Sequence, residues 1–165
     1  MRTEERLLAV GGVHALESTE KCQLTQVEPA SAVEDLGWKD ALVVRARSEG
    51  RADLACGGHR AQLRFMAPQR LELVLVDDHA VVGRRFHVRA VARDGSGREL
   101  EIGKWTEITW LGDGTVALDG DKSAGEFGLP GAAAVQGFLA SKADAVTIEA
   151  RLGAVSGTLR VTVRP

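Results

Sequence analysis

A strand–turn–strand pattern occurs twice in this chain, each copy shortly before a proline. Ala46 to Cys56 reads ARSEGRADLAC, and 94 residues later Ala140 to Ala150 reads ASKADAVTIEA. Ala46 aligns with Ala140, Ala52 with Val146, Leu54 with Ile148 and Cys56 with Ala150. After an insertion of two residues, Leu63 and Phe65 align with Leu159 and Val161. A supersecondary unit repeated at domain-sized spacing marks a tandem array. The repeat predicts two units, 1–67 and 68–165, with Pro68 at the border because proline cannot donate to a sheet ladder.

Period-2 patterns bounded by Gly, Asp and Ser clusters dominate the chain and read as strands. In the first unit they are Arg6–Val10, Lys21–Val27, Leu42–Ala46, Ala52–Cys56 and Gln62–Met66. In the second they are Leu71–Val76, Arg85–Ala92, Glu107–Trp110, Thr115–Leu118, Gly137–Ala140, Ala145–Arg151 and Ser156–Val163. Asp94-Gly95-Ser96-Gly97 and Gly112-Asp113-Gly114 read as turns, since glycine tolerates positive φ and aspartate bonds nearby backbone. Short helical turns are expected at Ala30–Leu36 and Pro130–Val135. Alternation in Phe86–Arg93 puts Phe86, Val88, Ala90 and Ala92 inside, with His87, Arg89, Val91 and Arg93 in solvent. The predicted fold class is all-β, two tandem antiparallel sandwiches.

Composition narrows the function classes. There are 21 Lys plus Arg against 23 Asp plus Glu. The signs are interspersed, which gives no electrostatic footprint for nucleic acid. No apolar run approaches the roughly 20 residues of a membrane helix. The start MRTEER lacks the apolar stretch of a signal peptide, and the chain stops at the point where the first unit hands over to the second. The start fits either a cytoplasmic protein or a start placed after a removed leader, and the end reads as a cut from a longer protein at a domain border.

Leu71 to Val163 resembles a bacterial immunoglobulin-like domain of the group-2 (BIG2) type. The resemblance is carried by Val81-Val82-Gly83, the strand Phe86–Arg93, the turn Asp94–Gly97 and the Trp-bearing strand Ile108-Thr109-Trp110. It is completed by Gly137–Ala140, Ala145–Ala150 and Gly157–Val163. In the first unit only the last third matches well, and the 119–134 connection is longer than the family pattern. The resemblance implies a non-catalytic spacer or adhesion module of a larger bacterial surface or secreted protein. It brings no catalytic residue and no cofactor. It also implies an extracytoplasmic location and further domains on the same polypeptide. The expected partner is a protein or a cell-surface glycan, met by loops at the sandwich ends, the 119–134 connection first, or by a sheet edge. Other classes are a ligand- or metal-binding accessory domain of a secreted enzyme, and a phage or virion structural domain.

The chain has two cysteines, Cys22 and Cys56. The resemblance places Cys56 on the penultimate strand, where an early strand would face it across the core, so a Cys22–Cys56 disulfide is expected. Two buried thiols are the plainer alternative. A zinc set built on the CxxH spacing of Cys56 and His59 with His14 and Cys22 is half a motif. Asp113, Asp119 and Asp121, with Asp77 and Asp78, are candidate calcium ligands, although aspartate in turns ordinarily bonds backbone. No serine sits in a GxSxG elbow and none of the four histidines has a recognisable partner. His87 reads as a solvent-face strand residue, and His14, His59 and His79 as loop or strand-end positions. Trp110 reads as a core tryptophan. Trp105 has the opposite parity, yet packing remains the simplest role for it and for Trp38.

Overall fold

The computed structural model describes residues 4–16, 20–39, 41–103, 105–113, 116–118 and 134–165. In the first half, one sheet runs in the order β1 (Glu4–Ala9), β7 (His59–Met66), β6 (Gly50–Cys56), β3 (Cys22–Glu28). Facing it lies a sheet ordered β2 (Val13–Leu16), β5 (Leu42–Ala46), β4 (Val33–Asp35). In the second half, β8 (Arg70–Leu75), β10 (Phe86–Arg93), β14 (Val135–Ala140) and β13 (Val116–Leu118) form one sheet. The short β11 (Glu99–Leu100) pairs with the far end of β10. The opposing sheet runs β12 (Thr109–Gly112), β15 (Ala145–Leu152), β16 (Val155–Arg164), β9 (Ala80–Val81).

Read as A to G, the second half has A-B-E-D on one sheet and C-F-G on the other, with a short first-edge strand parallel to G. That is the strand order of an immunoglobulin sandwich. The first half repeats it without a described counterpart of β8. Its β1 lies parallel to β7 as β9 lies parallel to β16. Each half is an immunoglobulin-like sandwich.

The two halves share one device that the sequence comparison missed. Gly11 N donates to Ala46 O at 2.8 Å, and Gly83 N donates to Ala140 O at 3.2 Å. Both glycines sit at positive φ, +89° and +74°, where a side chain would be strained. Each ends the edge strand and turns the chain onto the opposite sheet. Ala9-Val10-Gly11 and Val81-Val82-Gly83 are therefore equivalent.

The repeat itself needs one correction. Ala52 lies opposite Leu63, whereas Val146 lies opposite Val161. Leu63 thus corresponds to Val161 and Phe65 to Val163, an insertion of four residues rather than two. An even insertion in a hairpin adds whole cross-strand pairs, here two, and leaves the inward faces unchanged. Leu63, Phe65, Val161 and Val163 are accordingly all buried.

Two apolar clusters fill the molecule. The first contains Leu8, Leu16, Val44, Leu54, Leu63 and Phe65. The second is built round Phe86, Phe138, Val88, Val146, Ile148 and Leu100. Alternation along β10 holds by register, yet His87 and Val91 on its outward face are only 7% and 2% exposed. The expectation of a solvated His87 is wrong: its side chain is buried, with Asp77 beside it. His14 is not a loop residue either. It lies in β2, 3% exposed. Of the two expected helical turns, Ala30–Ala32 is a 3-10 turn that gives way to β4 at Val33. In the other, 130–133 lies outside the described residues and β14 starts at Val135.

Candidate functional site: the junction between the sandwiches

β1 alternates between two cores. Leu8 faces the first cluster, while Ala9 belongs to the second and Leu7 packs against it. A strand ordinarily has one face for its own core and one for solvent. Here both faces are used, because the second sandwich supplies a second interior.

The main chain makes the same connection. Ala9 N donates to Glu101 O at 3.0 Å and Glu101 N donates to Leu7 O at 2.7 Å. Leu8 and Glu101 form a parallel bridge. Glu101 directly follows β11, which pairs with β10. A hydrogen-bonded path thus runs from the first sandwich's β3–β6–β7–β1 sheet into the second sandwich's β11–β10–β14 sheet.

Side chains reinforce it. Arg6 donates from Nε and Nη2 to the two carboxylate oxygens of Glu101 at 2.9 and 2.8 Å. A bidentate pair of this kind fixes geometry as well as charge, and it holds the Arg6 guanidinium further above its ordinary pKa. Val13 N donates to Thr106 Oγ1 at 2.9 Å. Trp38 stacks on Trp105 with ring centroids 4.5 Å apart and planes at 20°. The two rings remain 53% and 40% exposed. They pack against each other across the junction rather than into either core. The crossing at Ala67–Gln69 is tied as well, with Ala67 N on Glu49 Oε1 at 3.2 Å and Gln69 N on Arg93 O at 2.8 Å.

Gly103 is a close backbone approach in the junction. A Cβ there would fall on the carbonyl of Val13. Main chain against main chain cannot be relieved by a rotamer change, so Gly103→Ala must part the two surfaces. Overpacking of this kind costs about 1–3 kcal/mol, and the upper end is expected here. Gly58→Ala, where the added methyl meets nothing within 4 Å, is the near-neutral control. Urea denaturation of the two variants side by side checks the difference.

His14 touches this junction from inside. Its Nε2–H donates to Ala9 O at 3.0 Å, so the neutral ring supports the end of β1. Burial lowers its pKa below the ordinary value, against the raising effects of the Ala9 carbonyl and Glu101. The unfolded chain therefore takes up the proton more readily than the folded one. Stability from the neutral ring is fully present above about pH 6.5 and is lost as pH falls through the folded pKa. The expected result is a melting temperature that declines from about pH 7.5 to 5, with a slope reduced in His14→Gln.

The cysteines form a disulfide, Cys22–Cys56, with Cα atoms 4.1 Å apart. Its position differs from the expected one. Cys22 and Cys56 are directly paired on adjacent strands β3 and β6 of one sheet, not opposed across the core. The bond pins the edge strand β3, which also carries a bulge between Thr25 and Glu28. With both sulfurs so bonded there is no thiolate for zinc, and His59 lies beside Cys56 at the hairpin end.

Asp113 is a structural residue. Its Oδ2 accepts from Thr147 N at 2.9 Å, and its own N donates to Thr147 O at 3.2 Å. Asp119 and Asp121 lie outside the described residues, as does 119–133 of the long connection. Among the described residues no three His, Cys, Asp or Glu side chains gather as a metal set. Asp77 Oδ2 accepts from His87 N at 2.6 Å. Trp110 is half-buried and meets Phe138 edge-on at 5.8 Å. Among the described residues no helix is long and apolar enough to cross a membrane.

No family model and no curated protein matches the chain. Solved structures do resemble it. Domains 5–6 of the S-layer protein SbsC show 15% identity over 98% of this chain and 94% of that one, TM-score 0.42. The Escherichia coli adhesin FdeC shows 14% identity over 97% of this chain and 62% of its own, TM-score 0.40. Invasin, a bacterial integrin-binding protein, shows 11% over 98% and 34%, TM-score 0.43. With identities and TM-scores this low, the fold assignment rests on the strand order itself.

Proposed function

We propose that the chain is a non-catalytic structural module, a stiff spacer or adhesion segment of a larger bacterial surface or secreted protein. Group-2 bacterial immunoglobulin-like domains are the family it is assigned to in this reading, on the motifs in Leu71–Val163. The observation that carries the proposal is the junction. A bridging strand, a bidentate ion pair, a Trp–Trp stack and a main-chain contact at a glycine all hold one sandwich against the other. Such a device serves position and reach, not turnover.

The described residues with chemical potential support it. The cysteines are bonded to each other, Asp113 holds a strand end, and His14 holds β1. A structural disulfide belongs to an oxidising compartment, hence the extracytoplasmic assignment. Any partner, protein or cell-surface glycan, would meet loops at the sandwich ends or an exposed sheet edge.

The test is surface labelling of intact host cells with a membrane-impermeant amine reagent, followed by alkylation of the recovered protein without reductant. The proposal expects a labelled protein with neither cysteine alkylated. An unlabelled, cytosolic protein with two free thiols would refute it.

A further inference from the structure

We infer that the two sandwiches form one cooperative folding body, with β1 as a structural strand of both. The inference stands whether or not the spacer reading holds, because it follows from the junction alone. Tandem sandwiches joined by a linker keep separate cores, and each can open without the other. Here Ala9, fully buried, belongs to the second core although it lies 61 residues before β8 begins. Leu7 and Met66, the last residue of β7, pack against that core as well. Opening the first sandwich removes these three side chains from the second core. Opening the second removes the bonds to Glu101 from the only outer edge β1 has.

The equivalent edge strand of the second sandwich does not carry the same residues. By the equivalence of Gly11 with Gly83, Leu7 corresponds to His79 and Ala9 to Val81. Met66, opposite Ala9, corresponds to Arg164, opposite Val81. Two of the three apolar contacts are thus replaced by a histidine and an arginine, both exposed. At His79 and Arg164 the second sandwich therefore lacks the apolar side chains that Leu7 and Met66 supply in the first.

The test is amide hydrogen exchange by mass spectrometry together with calorimetry on the full chain. The wild-type chain is expected to melt in one transition with equal calorimetric and van't Hoff enthalpies. Ala9→Asp, which places a charge in the second core, is expected to raise exchange about tenfold or more in β10, β14, β15 and β16 and in β6 and β7 alike. If that variant fails to fold, Leu7→Ala supplies the reading. It trims a side chain that meets the second core, and parallel acceleration in both sandwiches is expected. Two resolved wild-type transitions, or acceleration confined to one sandwich in the variant that folds, would overturn the inference.

Discussion

Phe138→Ala is expected to destabilise the protein by about 3–5 kcal/mol, the range for deleting a buried aromatic ring. Phe138 is fully buried at the centre of the second core. It stacks on Phe86 at 5.8 Å and meets the edge of Trp110 at the same distance. Aromatic pairs of this geometry add roughly 0.5–1.5 kcal/mol beyond area burial. β10 and β14 pair at this point, Phe86 opposite Phe138, so collapse into the space is limited by the sheet on both sides. The cost therefore belongs at the upper part of the range. For a chain of this length that is a melting temperature lower by about 10–15 °C. Urea titration followed by tryptophan emission measures it, and Trp110 should shift to the red in the native baseline. A loss below about 1.5 kcal/mol would place the centre of the second core elsewhere.

The same aromatic set shows what the sequence displays and what it hides. Phe86, Val88, Ala90 and Ala92 alternate over a full strand, and β6, β7, β15 and β16 do likewise, so their inward faces can be read directly. The two-sandwich, all-β architecture follows from them. Among the strands of two to four residues, β2, β4, β9 and β11 show no readable period. His14 in β2 also carries the wrong polarity for a core position, which only the Ala9 carbonyl makes tolerable.

The junction was least legible. Its central contacts are main chain to main chain, at Leu7, Ala9 and Glu101, and such bonds leave no residue signature. Leu7-Leu8-Ala9-Val10 is in fact four apolar residues running, which breaks the alternation of a half-solvated strand. That was the available signal, together with the matching Val-Gly pairs at 10–11 and 82–83. Trp38 and Trp105 were recognisable as packing residues, but their being partners depends on a fold that joins residues 67 positions apart. The disulfide was expected from family resemblance across the core. Register, which sequence gives poorly, places it along one sheet instead.

Replacing both cysteines, Cys22→Ser with Cys56→Ser, is expected to cost about 3–4 kcal/mol, the loop-closure value for the 34-residue separation of this bond. The closed loop contains β3, β4, β5 and β6, strands from both sheets of the first sandwich. Cross-linking it restricts the unfolded chain over half of that sandwich, while the native pair is already held by neighbouring strand bonds. The effect should therefore appear mainly through the unfolded state. Urea unfolding of the double variant should show a lower midpoint and a steeper dependence on denaturant, since the unlinked chain exposes more surface. Reduction of the wild-type protein should reproduce both changes. A lowered midpoint with an unchanged slope would mean that the bond acts on the folded edge strand instead. In a cooperative body the loss must also reach the second sandwich, although no cysteine lies there. Trp110, on β12 of that sandwich, should then report the same lowered midpoint as probes placed in the first.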